Sequence, residues 1–191
     1  MYQLTMNDKV LWVTGASSGI GAAVAKKFAK EGWKVAISAR RIELLNVIAE
    51  DDNIYSYPLD VTNAIQLKET FNKIVNDLGK VDLCILSSGT YERKSEKEID
   101  TNNIKNVIEV NFLGVINSVA AVESYFKNKK NGHIAIVSSP VGYRGLPKSS
   151  GYTPSKAALN NFTQGIYFDF IKFNVRVSLI CPGFIKTALT D

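Results

Sequence analysis

One histidine and two cysteines among 191 residues leave little material for a metal centre or a disulfide framework. His133 has no familiar metal-ligand spacing to either cysteine. Cys84 and Cys181 both lie inside apolar runs, which predicts reduced core thiols in a cytoplasmic protein. Charge of one sign is nowhere concentrated. The 23 Lys and Arg against 18 Asp and Glu give a net charge of +5, but basic residues are scattered apart from pairs such as Arg40-Arg41 and Lys129-Lys130. With no arginine-rich block, no nucleic-acid partner is expected. Met1 to Lys9 lacks a signal-peptide core, and no apolar stretch approaches the ~18 residues that a membrane helix needs. No membrane partner is expected either. Linkers rich in Pro, Gly or Ser, internal repeats and low-complexity segments are also missing.

What is present is ordinary globular material, 46% hydrophobic and 21% charged, of a length that predicts one domain spanning 1–191. Apolar β-rich runs occur at Val10–Thr14, Lys34–Ser38, Asn53–Pro58, Leu83–Leu86, Ile134–Ser138 and Val175–Cys181. They are continuous, not alternating, as suits strands of a parallel sheet buried on both faces. Helical patterns lie between them at Ile20–Glu31, Ile42–Glu50, Asn63–Leu78, Thr101–Lys129 and Tyr152–Phe173. Gly32 closes the first, either Asp60 or Thr62 could cap the third, and the fourth is expected to break near Asn111. The alternation predicts an α/β doubly wound fold, with ligand-binding loops at the carboxyl ends of the strands.

Thr14-Gly15-Ala16-Ser17-Ser18-Gly19-Ile20-Gly21 follows the first strand and runs into the first helix. Such a turn brings backbone N–H groups to a phosphate at the positive end of the helix, with Ser17, Ser18 and Ile20 between the glycines. Gly15 suits the tight turn, Gly19 a close ligand approach and Gly21 a close helix–sheet contact. No Gly-Lys-Ser/Thr follows, which excludes a Walker loop. The blander alternative is a loop that merely needs small residues. After the second strand, where an NAD site places a carboxylate, stand Ala39-Arg40-Arg41. Guanidinium groups favour the 2′-phosphate of NADP(H) over NAD(H), with Arg40, nearer the strand, preferred over Arg41. The same missing acid argues against a methyltransferase; the bland reading is an arginine opening a surface helix.

Tyr152-Thr153-Pro154-Ser155-Lys156 places Tyr152 and Lys156 four apart, on one face of a helix. A nearby ammonium is expected to lower a phenol's pKa from ~10 toward a working range. A bare Tyr-x-x-x-Lys occurs by chance in many helices. Here Ser139 precedes Tyr152 by thirteen positions, and Asn111 and the glycine loop stand upstream in order. Together these residues resemble the short-chain dehydrogenase/reductase family across essentially the whole chain. The resemblance implies a Rossmann-type sheet in the order 3-2-1-4-5-6, and an oxidoreductase moving a hydride between NADP(H) and a carbonyl or secondary alcohol. It implies Tyr152 as proton donor or acceptor, and Ser139 as the group holding the substrate oxygen. Lys156 would tune Tyr152 and hold the nicotinamide ribose, and Asn111 would support a water linking Lys156 to solvent. Asp60-Val61 resembles the adenine-contacting pair, and Pro182-Gly183-Phe184-Ile185-Lys186-Thr187 the segment reaching the nicotinamide carboxamide through Ile185 and Thr187.

One stretch departs from the family. Leu86-Ser87-Ser88-Gly89 stands where asparagines are usual, so Ser88 and Gly89 are expected to border the cofactor cleft beside an altered wall. Tyr143 and Tyr167 read as packing or surface aromatics. The resemblance further implies a homodimer or homotetramer built on the two long helices, with Val107, Val110, Val115, Val119, Phe162, Ile166 and Phe170 available. Beyond Asp191 it implies a substrate-covering segment, a helix and a seventh strand, which this sequence lacks. Their absence is expected to reflect removed or unseen residues, since an open cleft would admit water. The competing functional class is a catalytically silent NADP(H)-binding sensor or scaffold.

Overall fold

The computed structural model describes residues 9–91 and 99–186; the N-terminal stretch 1–8 and Thr187 lie outside them. Its strands are β1 (Val10–Thr14), β2 (Lys34–Ser38), β3 (Ile54–Ser56), β4 (Leu83–Leu86), β5 (Gly132–Val137) and β6 (Val175–Ile180). All pair in parallel, in the order β3-β2-β1-β4-β5-β6, as expected. The helices are α1 (Gly19–Lys30), α2 (Ile42–Ile48), α3 (Ala64–Leu78), α4 (Thr101–Ile108), α5 (Gly114–Lys129) and α6 (Tyr152–Ile171).

The continuous apolar strands divide their side chains between two cores, because successive residues point to opposite faces. Val10 and Trp12 join Leu67, Phe71, Val119, Phe126 and Leu159 from α3, α5 and α6. Leu11 and Val13 join Ala25, Ala29, Leu45 and Ile48 from α1 and α2. At the centre of the first core Phe71 lies 5.4 Å from the Trp12 ring and 5.2 Å from Tyr125. The Trp12 indole N–H donates to Ser38 Oγ at 3.0 Å, so the largest core side chain is satisfied within the sheet.

Several local expectations change. β3 is shorter than Asn53–Pro58 because Asn53 takes φ +65°, outside the extended region. Its ladder continues nonetheless through Tyr57 N–H to the Ile37 carbonyl at 2.9 Å. α3 is capped by Asn63, whose side chain accepts from Gln66 N–H, and not by Asp60 or Thr62. Asp60 instead accepts from the backbone N–H and the hydroxyl of Thr62. The long helix does not break at Asn111. It widens into a π-helical turn, Glu109–Leu113, between α4 and α5. Gly114 lies inside this path to admit Val61, whose Cγ2 would stand 2.7 Å from an added β-carbon.

The continuous helix Thr101–Lys129 also corrects the expectation about membrane spans. By length and mean hydropathy, 1.3 over its most apolar window, it is long and apolar enough to cross a bilayer. In the fold its apolar residues Val107, Val110, Val115, Val119, Val122 and Phe126 are buried, and it packs against α3, α6 and β5. For the same reason Val107, Val110, Val115, Val119 and Phe170 belong to this chain's own core and not to an oligomer face. Phe162 and Ile166 pack partly against that core, and the aromatic surface left open on α6 is Tyr167 and Phe168.

Replacing Phe71 by Ala removes a ring that holds β1 to α3 and α5. The unfolding free energy is expected to fall by about 3–5 kcal/mol, read from urea unfolding. A loss below about 1 kcal/mol would contradict this account of the core.

Candidate functional site

The turn after β1 lies directly on the end of β4. Gly15, at φ +69°, would place a β-carbon 2.7 Å from the Ser88 backbone, and Gly21 would place one 2.6 Å from the Gly15 carbonyl. Only glycine fits either place. Ser87 Oγ donates to the Thr14 carbonyl at 2.6 Å, so a serine steadies the β1–β4 junction. The altered wall is thus intact.

Above this junction opens a cleft of about 400 Å³. It is lined by Gly15, Ser17, Ser18, Gly19, Ile20, Gly21, Arg40, Arg41, Asp60, Val61, Ser88 and Gly89, twelve residues expected from sequence. Ala39, Leu59, Ser87, Thr90 and Val110 complete it. Ser18 precedes α1 without a side-chain cap, so the first N–H groups of that helix face the cleft with no local acceptor. A phosphate group suits such an end.

The two arginines are held differently. Arg41 donates from Nη2 to Ser17 Oγ at 2.8 Å and to Ser18 Oγ at 2.9 Å, and from Nε to Ser17 Oγ at 3.2 Å. Its guanidinium is therefore fixed on the glycine turn. Arg40 is exposed, and its ion-pair partner among the described residues is Asp60, at 3.9 Å. Asp60 remains at the cleft wall, its Oδ1 engaged in the turn at Thr62.

Gly89 connects the cleft to the tyrosine–lysine pair. A β-carbon there would lie 3.5 Å from Asn111 Oδ1 and 3.9 Å from Lys156 Nζ. Asn111 is fully buried in the π-helical turn. Its Oδ1 accepts from Thr90 N–H at 2.7 Å, and its Nδ2 donates to the Thr90 carbonyl and to Ser155 Oγ at 3.0 and 3.1 Å. The carboxamide thus clamps the 89–91 segment, with both its donors spent on protein.

Lys156 is 5% exposed and donates to the Val137 carbonyl at 3.1 Å. Burial pushes its ammonium pKa down to about 8. Its Nζ lies 5.7 Å from the centre of the Tyr152 ring, over the ring and not at the hydroxyl. The expected lowering of the phenol is accordingly not what this arrangement gives. Burial pushes the Tyr152 phenol above its ordinary value, opposed by a hydrogen bond with Ser139. Ser139 also caps the short 3-10 turn Pro140–Gly142, which fixes its side chain beside Tyr152. Its neighbour Ser138 instead donates to Asn160 Oδ1.

Two further placements differ from expectation. Cys181 is not a core thiol: it is half-buried after β6, beside Tyr143. Cys84 is buried as expected, and burial pushes its thiol up. Pro182, Gly183 and Ile185 follow β6 at the carboxyl end of the sheet but do not line the cleft. The sequence offered no sign of Tyr91, whose ring meets Tyr152 edge-on. Among the described residues no cluster of His, Cys, Asp and Glu could hold a metal.

Comparison with known proteins agrees with this geometry. Residues 9–191 match the short chain dehydrogenase family. An uncharacterized oxidoreductase of Staphylococcus saprophyticus is 34% identical over 97% of this chain and 82% of its own length. The 3-oxoacyl-acyl-carrier-protein reductase of Thermotoga maritima is 34% identical over 98% of this chain and 78% of its own. Among solved structures, ElxO with NADP bound is 30% identical with a TM-score of 0.89, over 94% of this chain and 75% of that one. The chain belongs to the short-chain dehydrogenase family and is an oxidoreductase of that type.

Burial of Lys156 carries a pH signature. Below pH 8 the lysine is charged in both folded and unfolded chains, so the cost of burying it is present in full. Between about 8 and its ordinary 10.5 the unfolded chain binds more protons, and folding gains as pH rises. A Lys156→Met variant is therefore expected to be more stable than the wild type at pH 7, by a margin that shrinks from pH 8 to 10. Urea unfolding of both across that range reads it; a margin independent of pH would contradict the assignment.

Proposed function

We propose that this chain binds NADP(H) and interconverts a small-molecule carbonyl compound and its alcohol, with Tyr152 as the proton donor or acceptor. The observation that carries the reading is that Tyr152 meets both Ser139 and Lys156, while Lys156 Nζ stands 3.9 Å from a β-carbon placed on Gly89, a residue of the cleft that also holds the fixed Arg41 guanidinium. Preference for NADP(H) over NAD(H) rests on Arg41, held by Ser17 and Ser18 where an NAD site has a carboxylate. The NADP bound to ElxO favours the same cofactor. Arg40 and the Asp60-Val61 pair complete the adenosine end of the proposed site.

When bound, the nicotinamide supplies or accepts the hydride at the carbonyl carbon. In the reducing direction Ser139 Oγ donates a hydrogen bond to the carbonyl oxygen and fixes it within reach of Tyr152. The Tyr152 hydroxyl then gives its proton to that oxygen as negative charge develops there. Leaving a phenolate in so buried a place needs a compensating charge, and Lys156 is the buried cation beside the ring. Lys156 also holds the ribose, and Asn111 keeps Gly89 and Thr90 where the cleft meets the reacting groups. Pro182, Gly183 and Ile185, with Thr187 following, would meet the carboxamide. The partners in this reading are a small carbonyl or alcohol and further copies of the chain, within a single domain.

Mixing the protein with NADPH and a panel of aldehydes and ketones is expected to consume the reduced nicotinamide absorbance. Tyr152→Phe is expected to lower that rate by about 10²–10⁴-fold, with NADPH affinity kept within a few-fold. Turnover surviving in Tyr152→Phe would show that the acid is elsewhere; tight NADPH binding with no turnover on any carbonyl would favour a sensor. Arg41→Ala is expected to weaken NADPH about 10- to 100-fold, the worth of one or two charge-assisted hydrogen bonds, with NADH little affected. Equal losses for both cofactors would overturn the phosphate assignment.

A further inference from the structure

Tyr91 stands two residues beyond Gly89, in a part of the chain where neither helical nor strand periodicity singles it out. Its ring centre is 4.9 Å from that of Tyr152, with the two planes at 89°. This is the edge-to-face arrangement in which one ring's positive rim meets the other's negative face. Its hydroxyl lies 3.3 Å from Ser149 Oγ. Ser149 is buried, and its carbonyl accepts from both the N–H and the hydroxyl of Thr153 in the first turn of α6. On the other side the backbone of Thr90 is clamped twice by the Asn111 carboxamide. Tyr91 is therefore tied at both ends, to the π-helical turn through its neighbour and to the start of α6 through Ser149. Between those ties its ring bears on Tyr152.

We propose that Tyr91 is a positioning residue for Tyr152, holding the phenol ring edge-on so that its hydroxyl stays directed at Ser139. This rests on the reading of Tyr152 as the proton donor. The argument is one of restraint. Tyr152 opens α6 after Gly151, a residue with no side chain, so nothing on the preceding position limits its ring. Lys156 lies over the ring but is committed to the Val137 carbonyl. Beside the hydrogen bond with Ser139, a contact that restrains rotation of the Tyr152 side chain is the perpendicular ring of Tyr91. The arrangement also joins the two catalytic elements: Asn111 reaches the Tyr152 ring through Thr90 and Tyr91, and the Tyr152 backbone through Ser155, whose hydroxyl donates to the Tyr152 carbonyl.

The test uses the full chain with NADPH and the carbonyl that the panel above shows to be reduced fastest, together with NMR of protein carrying ring-labelled tyrosine. The Tyr152 signal is assigned by its loss in Tyr152→Phe. In the wild type, cross-relaxation between the Tyr91 and Tyr152 rings is expected; its absence would overturn the proposal without any variant at position 91. In Tyr91→Leu the Tyr152 signal is expected to move. There kcat should fall roughly 10- to 100-fold, as for a small misplacement of a reacting group, while KM and NADPH affinity change less than threefold. Tyr91→Phe keeps the ring and is expected to restore both the signal and most of kcat. A Tyr91→Leu protein with an unmoved Tyr152 signal, or one that raises KM alone, would show Tyr91 to be only a wall of the substrate space. If Tyr152→Phe keeps its activity, the acid assignment fails, while the ring cross-relaxation still reports on the contact.

Discussion

Where β1 and β4 run side by side, the turn that follows the first rests on the end of the second with no space for a side chain between them. A β-carbon on Gly15 or Gly21 would stand 2.6–2.7 Å from backbone atoms, and Ser87 closes the remaining gap with a hydrogen bond to Thr14. This contact lies at the point where the strand order reverses direction, so the crossovers leave on opposite faces and a crevice opens between them. The free end of α1, the fixed guanidinium of Arg41 and the passage at Gly89 all take their places from it. A larger residue at Gly15 or Gly21 would move the cleft's floor before it touched any ligand.

The catalytic end depends on a different balance. Lys156 is buried deeply enough to lose much of its hold on a proton, and burial raises the Tyr152 phenol in the opposite sense. Both shifts disfavour charge, but near neutral pH Lys156 still keeps its proton, while the Tyr152 phenol stays neutral until it gives its proton up. A hydrogen bond with Ser139 opposes the rise at Tyr152 and favours the phenolate. The pair thus holds one charge at rest, on Lys156, and the second, on the Tyr152 oxygen, arises only during the reaction.

Much of the fold was legible because parallel strands buried on both faces leave continuous apolar runs that few other structures use. The glycine turn and the tyrosine–lysine spacing were legible for a related reason: each is a local pattern whose parts lie within one turn or one helix. What the sequence hid depends on direction and not on spacing. Arg40 and Arg41 are adjacent, and only the path of the chain leaving β2 decides that Arg41 reaches Ser17 and Ser18. The widening at Asn111 leaves no mark, since a π-helical turn keeps the apolar period of the helices around it. Cys181 stands at the end of an apolar run, yet it falls just past the last residue of β6, half-buried beside Tyr143. The valines of Thr101–Lys129 looked available for assembly because composition alone does not say which face of a helix meets its own sheet.

The central claim, hydride transfer from NADPH to a carbonyl carbon in this cleft, is tested most directly by isotope transfer. NADPH deuterated at the transferable position of the nicotinamide is incubated with the wild-type protein and a reducible ketone, and the alcohol is analysed by mass spectrometry. The account predicts one deuterium on the former carbonyl carbon of each product molecule. An unlabelled alcohol, or no alcohol at all from protein saturated with NADPH, would contradict it.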